Sequence, residues 1–211
     1  MIKHYKNLHN YDVCGLDISK DNSKFVTCGG DKNVIITDVI ESKSIRKFSG
    51  HNSRVNSVRF NQENSLIVSA SYDTTVKFWD NRANSFHPID TIKGFKDSVT
   101  HAEIIDDYEI VCCSMDGTTR FYDVRTGQFI CDDIKEAVQS MCMANSGRAY
   151  VVSALNNSMY LIERGSGNKV MEYSGHQVQN YTVRCTFNEE DTNIFTGSAD
   201  GKLYIYDIMK K

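Results

Sequence analysis

The residue types of nucleophilic or metal-assisted catalysis are present in this chain. His51, Ser69 and Asp73 fall within one short segment, as do His9, Thr27 and Asp31, and His176, Thr196 and Asp200. A serine–histidine–aspartate relay needs one such set held apart from the scaffold. None of these sets stands apart: each falls on equivalent positions of a repeat. The seven cysteines are odd in number and include no C-x-x-C pair, so neither a disulfide framework nor a zinc knuckle is expected. Cys28, Cys112 and Cys185 lie in apolar stretches and read as buried thiols. Neighbours on a strand point to opposite faces, so Cys112 and Cys113 are not expected to share one. The acid pairs Asp106-Asp107, Asp132-Asp133 and Glu189-Glu190 read as solvated turns. "GSGN" at Gly165 to Asn168 lacks the P-loop lysine and reads as a plain turn. "NNS" at Asn156 to Ser158 matches a glycosylation acceptor that a reduced cytosolic chain would not use. No enzyme activity, metal or cofactor is expected.

The elements that position these residues recur. Turn residues Asp31, Asp73, Asp116, Asn156 and Asp200 are spaced by 42, 43, 40 and 44 residues. Seven residues after each stands an acid: Asp38, Asp80, Asp123, Glu163 and Asp207. A period near 40 marks a repeat architecture. In the second copy "RVNSVRF", "LIVSA", "TTVKFWD" and "IDTIKG" read as four strands separated by polar turns. Four antiparallel strands without a helix signal make one blade of a β-propeller.

The length of 211 residues suits one large all-β domain or two small ones, and 11 Tyr with 10 Phe supply large buried area. The net charge of −3 and the absence of a basic stripe argue against nucleic acid or anionic membrane as partner. No stretch approaches the roughly 18 apolar residues of a spanning helix. The start, "MIKHYKNLHN", lacks an apolar secretion core. Cytosol or nucleus is the expected location.

The spacing and wording resemble the WD-repeat family over essentially the whole chain. Gly50-His51 opens and Trp79-Asp80 closes the second repeat, and Gly175-His176 opens the fifth. In that family a histidine, a strand hydroxyl, the turn aspartate and a tryptophan form a hydrogen-bonded chain. The resemblance implies such a structural tetrad at His51, Ser69, Asp73 and Trp79. It implies partial ones at His9, Thr27 and Asp31, and at His176, Thr196 and Asp200. Thr37 and Tyr206 stand at the tryptophan position of the first and fifth repeats, Phe95 replaces the third histidine, and the fourth has Asn156 and Ile162. "SIRKFSGHNSRVNSVRFNQENSLIVSASYDTTVKFWD", "DGTTRFYDVRTGQ" and "SGHQVQNYTVRCTFNEEDTNIFTGSADGKL" are similar to the mitogen-activated protein kinase organizer family, also called the WD repeat domain-containing protein eighty-three family. That implies a non-catalytic scaffold for mitogen-activated kinase cascades, spliceosomal complexes or both.

The expected fold is an all-β WD-repeat propeller, one domain over 1–211 with five four-stranded blades, where the family has seven. The repeats span approximately 8–48, 50–92, 94–131, 132–173 and 175–211. Residues 1–7 are expected as a strand that completes the last blade of a five-blade ring or belongs to a missing blade. The expectation is the second, a chain lacking the equivalent of two blades. Tyr11, Arg54, Tyr72, Met115 and Leu155 are the expected partner-binding residues, on the rim of the second-to-third strand turns; aromatics, Met and Arg dominate interface energetics. The rival site is Arg82 and Arg125 in "FWDNR" and "FYDVR", which resemble the W-D-x-R pattern of cullin ubiquitin-ligase substrate receptors.

Overall fold

In a computed structural model of the protein, residues 3–106, 108–178 and 182–210 are described; Asp107 of the first acid pair lies outside them. The described residues contain strands and turns and no helix. The first sheet joins β1 (Val13–Ile18), β2 (Lys24–Gly29), β3 (Asn33–Asp38) and β4 (Ser44–Ser49) in chain order. The second joins β5 (Val55–Phe60), β6 (Leu66–Ser71), β7 (Val76–Asp80) and β8 (Asp90–Ile92) in the same way. The third holds β9 (Val99–Ile104), β10 (Glu109–Ser114), β11 (Thr118–Asp123) and β12 (Phe129–Asp133). The fourth holds β13 (Val138–Met143), β14 (Ala149–Ala154), β15 (Ser158–Glu163) and β16 (Lys169–Ser174). The fifth has β17 (Cys185–Phe187), β18 (Asn193–Gly197) and β19 (Leu203–Asp207).

This is the all-β, blade-by-blade topology that the repeat predicts, with one difference in count. Among the described residues four sheets have four strands and the fifth has three. Residues 3–6, expected as a strand, are not in one. They lie against the first sheet instead. Tyr5 meets the Phe25 ring edge-on at 4.8 Å and donates to the Val39 carbonyl at 2.9 Å. Lys3 Nζ donates to the same carbonyl at 2.7 Å and to that of Ile40 at 2.6 Å. Two main-chain acceptors of the β3–β4 turn thus hold the segment through its side chains.

The chain divides into two compact units, residues 1–112 with 123–127 and residues 113–122 with 128–211. The first unit buries a cluster that includes Val26, Ile36, Phe48, Val58, Ile67 and Trp79. Its first two sheets approach closely: a Cβ on Gly15 would lie 2.8 Å from Cys28 Sγ and 3.3 Å from the Ser57 backbone. The second unit buries Val151, Met159, Leu161, Tyr173, Cys185 and Ile194 together. Strands β2, β6, β10 and β14 are buried on both faces, which is why their sequences read as continuous apolar runs. Cys112 and Cys113 point to opposite faces of β10, yet both are buried, because both faces are covered. None of the seven cysteines is joined in a disulfide among the described residues.

Each second-to-third strand turn is built the same way. The residue after the turn acid has positive φ in every repeat: Lys32 (67°), Thr74 (65°), Gly117 (85°), Asn157 (62°) and Gly201 (81°). The left-handed residue reverses the chain while the acid side chain caps the amide two residues on, as from Asp73 Oδ1 to Thr75 N at 3.1 Å.

Candidate functional site

Three of the catalysis-like sets resolve into structural ties or into nothing joined. In the second repeat the tie is complete. Trp79 Nε1–H donates to Ser69 Oγ at 2.8 Å, and Ser69 Oγ lies 2.7 Å from His51 Nε2. His51 Nδ1 lies 2.9 Å from Asp73 Oδ2. A carboxylate can only accept, so the imidazole proton sits on Nδ1 and Nε2 takes the serine proton. Asp73 also accepts from Asn52 N at 2.8 Å and Thr75 Oγ1 at 2.6 Å. Burial pushes the Asp73 carboxyl up, but these hydrogen bonds, His51 first, outweigh it and hold the group well below the usual carboxylate range. Gly50 makes room for the indole: a Cβ there would lie 3.3 Å from the Trp79 ring and 3.2 Å from Pro88. The serine hydroxyl is therefore spoken for on both sides and faces no open site.

The first repeat keeps part of the tie. His9 bridges Asp31 Oδ1 and Thr27 Oγ1, each at 2.8 Å. Thr37, at the tryptophan position, is too short to reach Thr27, and its buried hydroxyl has no partner among the described residues.

The fifth repeat does not form the implied tie, and His176, Thr196 and Asp200 are not joined. Tyr206 hydroxyl takes the place at His176 Nδ1, 3.1 Å away, and donates to the Ser174 carbonyl at 3.1 Å. Asp200 faces the other way. It accepts from Tyr204 hydroxyl at 3.0 Å and pairs with Lys202 at 3.2 Å. The Ser198 hydroxyl leads these donors in holding its carboxyl down at about 2. Thr196 spends its hydroxyl on the Arg184 and Gly197 carbonyls. His176 Nε2 is left buried and unpartnered among the described residues, and burial pushes its pKa down.

In the fourth repeat Asn156 caps Ser158 N and donates to Tyr160 hydroxyl at 2.6 Å, while Ile162 is fully buried. One buried polar pair escaped the sequence reading. Tyr150 hydroxyl donates to Asp132 Oδ2 at 2.6 Å, and both residues are buried. Burial first, then the carboxylate, drives the Tyr150 pKa far up. Asp132 is thus a buried acid of β12 rather than a solvated turn residue. No residue near it in sequence signals this, because Tyr150 comes from the next sheet. Glu189 and Glu190 do occupy a turn.

The expected partner-binding residues fall in both units. In the first, Tyr11 is 72% and Tyr72 57% exposed, and Arg54 is exposed. Tyr72 and Arg54 are brought together: Tyr72 N donates to the Arg54 carbonyl at 2.9 Å. Tyr11 stands beside Gly30, where a Cβ would lie 3.0 Å from its own Cβ. In the second unit Met115 is half-buried and Leu155 is exposed at 40%. The rival pair is unequal. Arg125 Nη2 pairs with Asp123 Oδ2 at 3.0 Å, and its guanidinium stacks 4.2 Å from the Tyr108 ring centre. Arg82 is exposed, and only its backbone amide is held, by Asp80 Oδ1 at 2.7 Å. Among the described residues no three His, Cys, Asp or Glu side chains gather to hold a metal.

The family profile described as WD domain, G-beta repeat, matches residues 3–38, 42–80, 86–123 and 167–207. A Dictyostelium discoideum protein named WD repeat domain-containing protein 83 homolog is 26% identical over 95% of this chain and 70% of its own length. The rat WD repeat domain-containing protein 83 is 35% identical over 61% of this chain. That match spans 41% of the rat protein's length. A Caenorhabditis briggsae DDB1- and CUL4-associated factor 11 homolog is 32% identical over 90% of this chain and 35% of its own length. The profile skips most of the fourth repeat, where the structure shows Asn156 and Ile162 in place of aspartate and tryptophan. Matched over most of its length, and carrying the histidine-to-tryptophan tie intact in its second repeat, the chain belongs to the WD domain, G-beta repeat family.

Proposed function

We propose that the protein is a non-catalytic scaffold that holds other proteins together. One observation carries this reading: Tyr72, on the β6–β7 turn, and Arg54, just before β5, stand exposed side by side, and the His51–Asp73 bond ties that turn to the segment before β5. An aromatic and an arginine on a rigid turn are the make-up of an interface anchor. Binding two proteins on one rigid scaffold raises the effective concentration of each for the other. The partners in this reading are components of mitogen-activated kinase cascades or of spliceosomal complexes, in cytoplasm or nucleus. Its support is the resemblance of wording and the similarity to proteins named WD repeat domain-containing protein 83. Affinity purification of the tagged protein, wild type beside a Tyr72→Ala/Arg54→Glu variant, tests it. The variant is expected to keep its thermal midpoint and lose the co-purifying kinases or splicing proteins. An unchanged partner set refutes the rim as the binding surface.

A second reading has one observation in its favour, the similarity to a protein named as associated with DDB1 and CUL4. On it Arg82 and Arg125 would dock a cullin-ligase adaptor by charged contacts. The structure weighs against Arg125, whose guanidinium is already paired and stacked. Adaptor capture that is lost in Arg82→Ala and kept in Arg125→Ala is the outcome expected if this reading holds.

A further inference from the structure

The first unit carries a polar cavity of about 330 Å³ that the Tyr72 rim leaves unused. It lies at the ends of the first two sheets away from Tyr72. The β1–β2 turn, the β5–β6 turn and the segment after β7 line it. The walls are fixed by main-chain and amide bonds. Lys20 N donates to Asn64 Oδ1 at 3.1 Å, Asn81 Nδ2 to the Asn64 carbonyl at 2.9 Å, and Asn81 N to the Ser65 carbonyl at 2.8 Å. Asn64 holds its turn with φ of 56°, a conformation that asparagine tolerates. The cavity is therefore preformed and joins two repeats.

Its charged groups divide into occupied acceptors and unoccupied donors. Asp21 accepts from Ser19 Oγ at 2.6 Å, Ser23 Oγ at 2.7 Å and Ser23 N at 3.2 Å. Asp80, just behind Arg82, caps the amides of Arg82 at 2.7 Å and Ala83 at 3.1 Å. Lys24 and Arg82 line the cavity; among the described residues neither charged head makes a side-chain hydrogen bond or close ion pair, although, behind the amides of Arg82 and Ala83, the Arg82 charge helps to hold the nearby Asp80 carboxyl down. Glu63 is the one lining acid on the exposed rim that has no such serine donors. Arg125 at the equivalent place in the next repeat is tied down, so the availability of Arg82 is particular to this cavity.

We propose that this cavity is a peptide-binding site that takes an acidic side chain next to a basic one from a partner protein. The partner's carboxylate bonds the Arg82 guanidinium as a two-pronged acceptor, with Lys24 beside it. The partner's basic head pairs with Glu63 at the rim. The standing charges of Asp21, Glu63 and Asp80 set the preference: they oppose a phosphate dianion or a nucleic-acid backbone, and they tolerate one carboxylate delivered with its own cation. A guanidinium fork favours carboxylate geometry in direct contact, where solvent screens the more distant acids. The site is separate from the Tyr72 rim; it shares Arg82 with the adaptor reading, and a peptide titration with no cellular partner present tests it apart from that reading.

The test titrates the whole chain, followed by its amide resonances, with acetyl-Gly-Glu-Lys-Gly-amide, with the matching Gln peptide, and with inorganic phosphate. The Glu peptide is expected to shift the amides of Lys24, Ser65, Asn81 and Arg82 together, with saturation. One lost charge-assisted contact corresponds to about tenfold in affinity, so the Gln peptide should bind about tenfold more weakly. Arg82→Ala should lose about as much, Arg82→Lys less, and Arg125→Ala nothing. Unchanged shifts elsewhere show that each variant keeps its fold. Equal binding of the Glu and Gln peptides overturns the proposal, as does binding that survives Arg82→Ala. Tighter binding of phosphate on the same amides overturns it too, in favour of an anion site of another kind.

Discussion

Asp73 and Asp200 occupy the same place in their repeats and do different work. Asp73 accepts from His51, Asn52 and Thr75. Asp73→Ala strands the buried His51 N–H and two main-chain amides, and unmet buried donors cost about 1–3 kcal/mol each before relaxation. The expected loss is about 2–4 kcal/mol, read as a lower urea midpoint with an unchanged slope. Asp200→Ala frees Ser198, Tyr204, Lys202 and a main-chain amide, all at the surface, and is expected to leave the midpoint where it was. A large loss from Asp200→Ala would mean that the fifth-repeat tie closes in solution. Sequence equivalence is blind to this difference. It is set by Tyr206, whose hydroxyl reaches the imidazole nitrogen that the aspartate takes elsewhere.

At the scale of the element, the turn after each second strand matters most. Its left-handed residue is glycine or asparagine in three repeats, lysine in one and Thr74 in the second. A β-branched residue is poorly suited to that backbone, where an L side chain costs roughly 1–2 kcal/mol. Glycine gives back part of this through a more mobile unfolded chain, roughly 0.5–1 kcal/mol. Thr74→Gly is therefore expected to stabilise by about 0.5–1 kcal/mol. For a chain of this size that is a rise in Tm of about 1–4 °C. Calorimetry checks it, and a lower Tm would show that the threonine side chain contributes contacts that exceed the strain. The strands themselves were legible: the four read in the second repeat are β5, β6, β7 and β8. The segment 3–6 was not, because its likeness to a fourth strand is a matter of pattern. Tyr5 and Lys3 instead found acceptors on the β3–β4 turn.

For the molecule as a whole, the two units should answer acid differently. Burial depresses the His176 pKa, so the folded second unit favours a neutral imidazole, whose Nε2 has no partner among the described residues and which lies beside two tyrosine rings. The unfolded chain takes up a proton near pH 6.5, the ordinary value for histidine. This contribution to stability is complete above that pH and is lost as pH falls below it. In the first unit Asp31 and Asp73 have depressed values. Their contribution is complete above the ordinary value of 3.8 and is lost only as pH falls below that. Hydrogen exchange is expected to show residues 185–207 losing protection as pH falls below about 6.5, while residues 24–80 hold until pH nears 4. Parallel loss in both segments would contradict the assignment. The proposed scaffold would then work best at neutral pH for reasons of stability alone.

The sequence by itself determined the repeat, the strand order within each sheet and the complete second tie. Those follow from local periodicity and from turn residues whose backbone preferences are intrinsic. It also placed Tyr72 on the turn between the second and third strands, where it is exposed, although Met115 at the same place in the next repeat is half-buried. Only the tertiary structure decided which aspartates are bonded and which are not. It also buried Asp132 against a tyrosine from the next sheet, and left Arg82 at a cavity while Arg125 is paired. Each of those outcomes depends on a side chain arriving from elsewhere in the fold, at a distance that no spacing along the chain encodes.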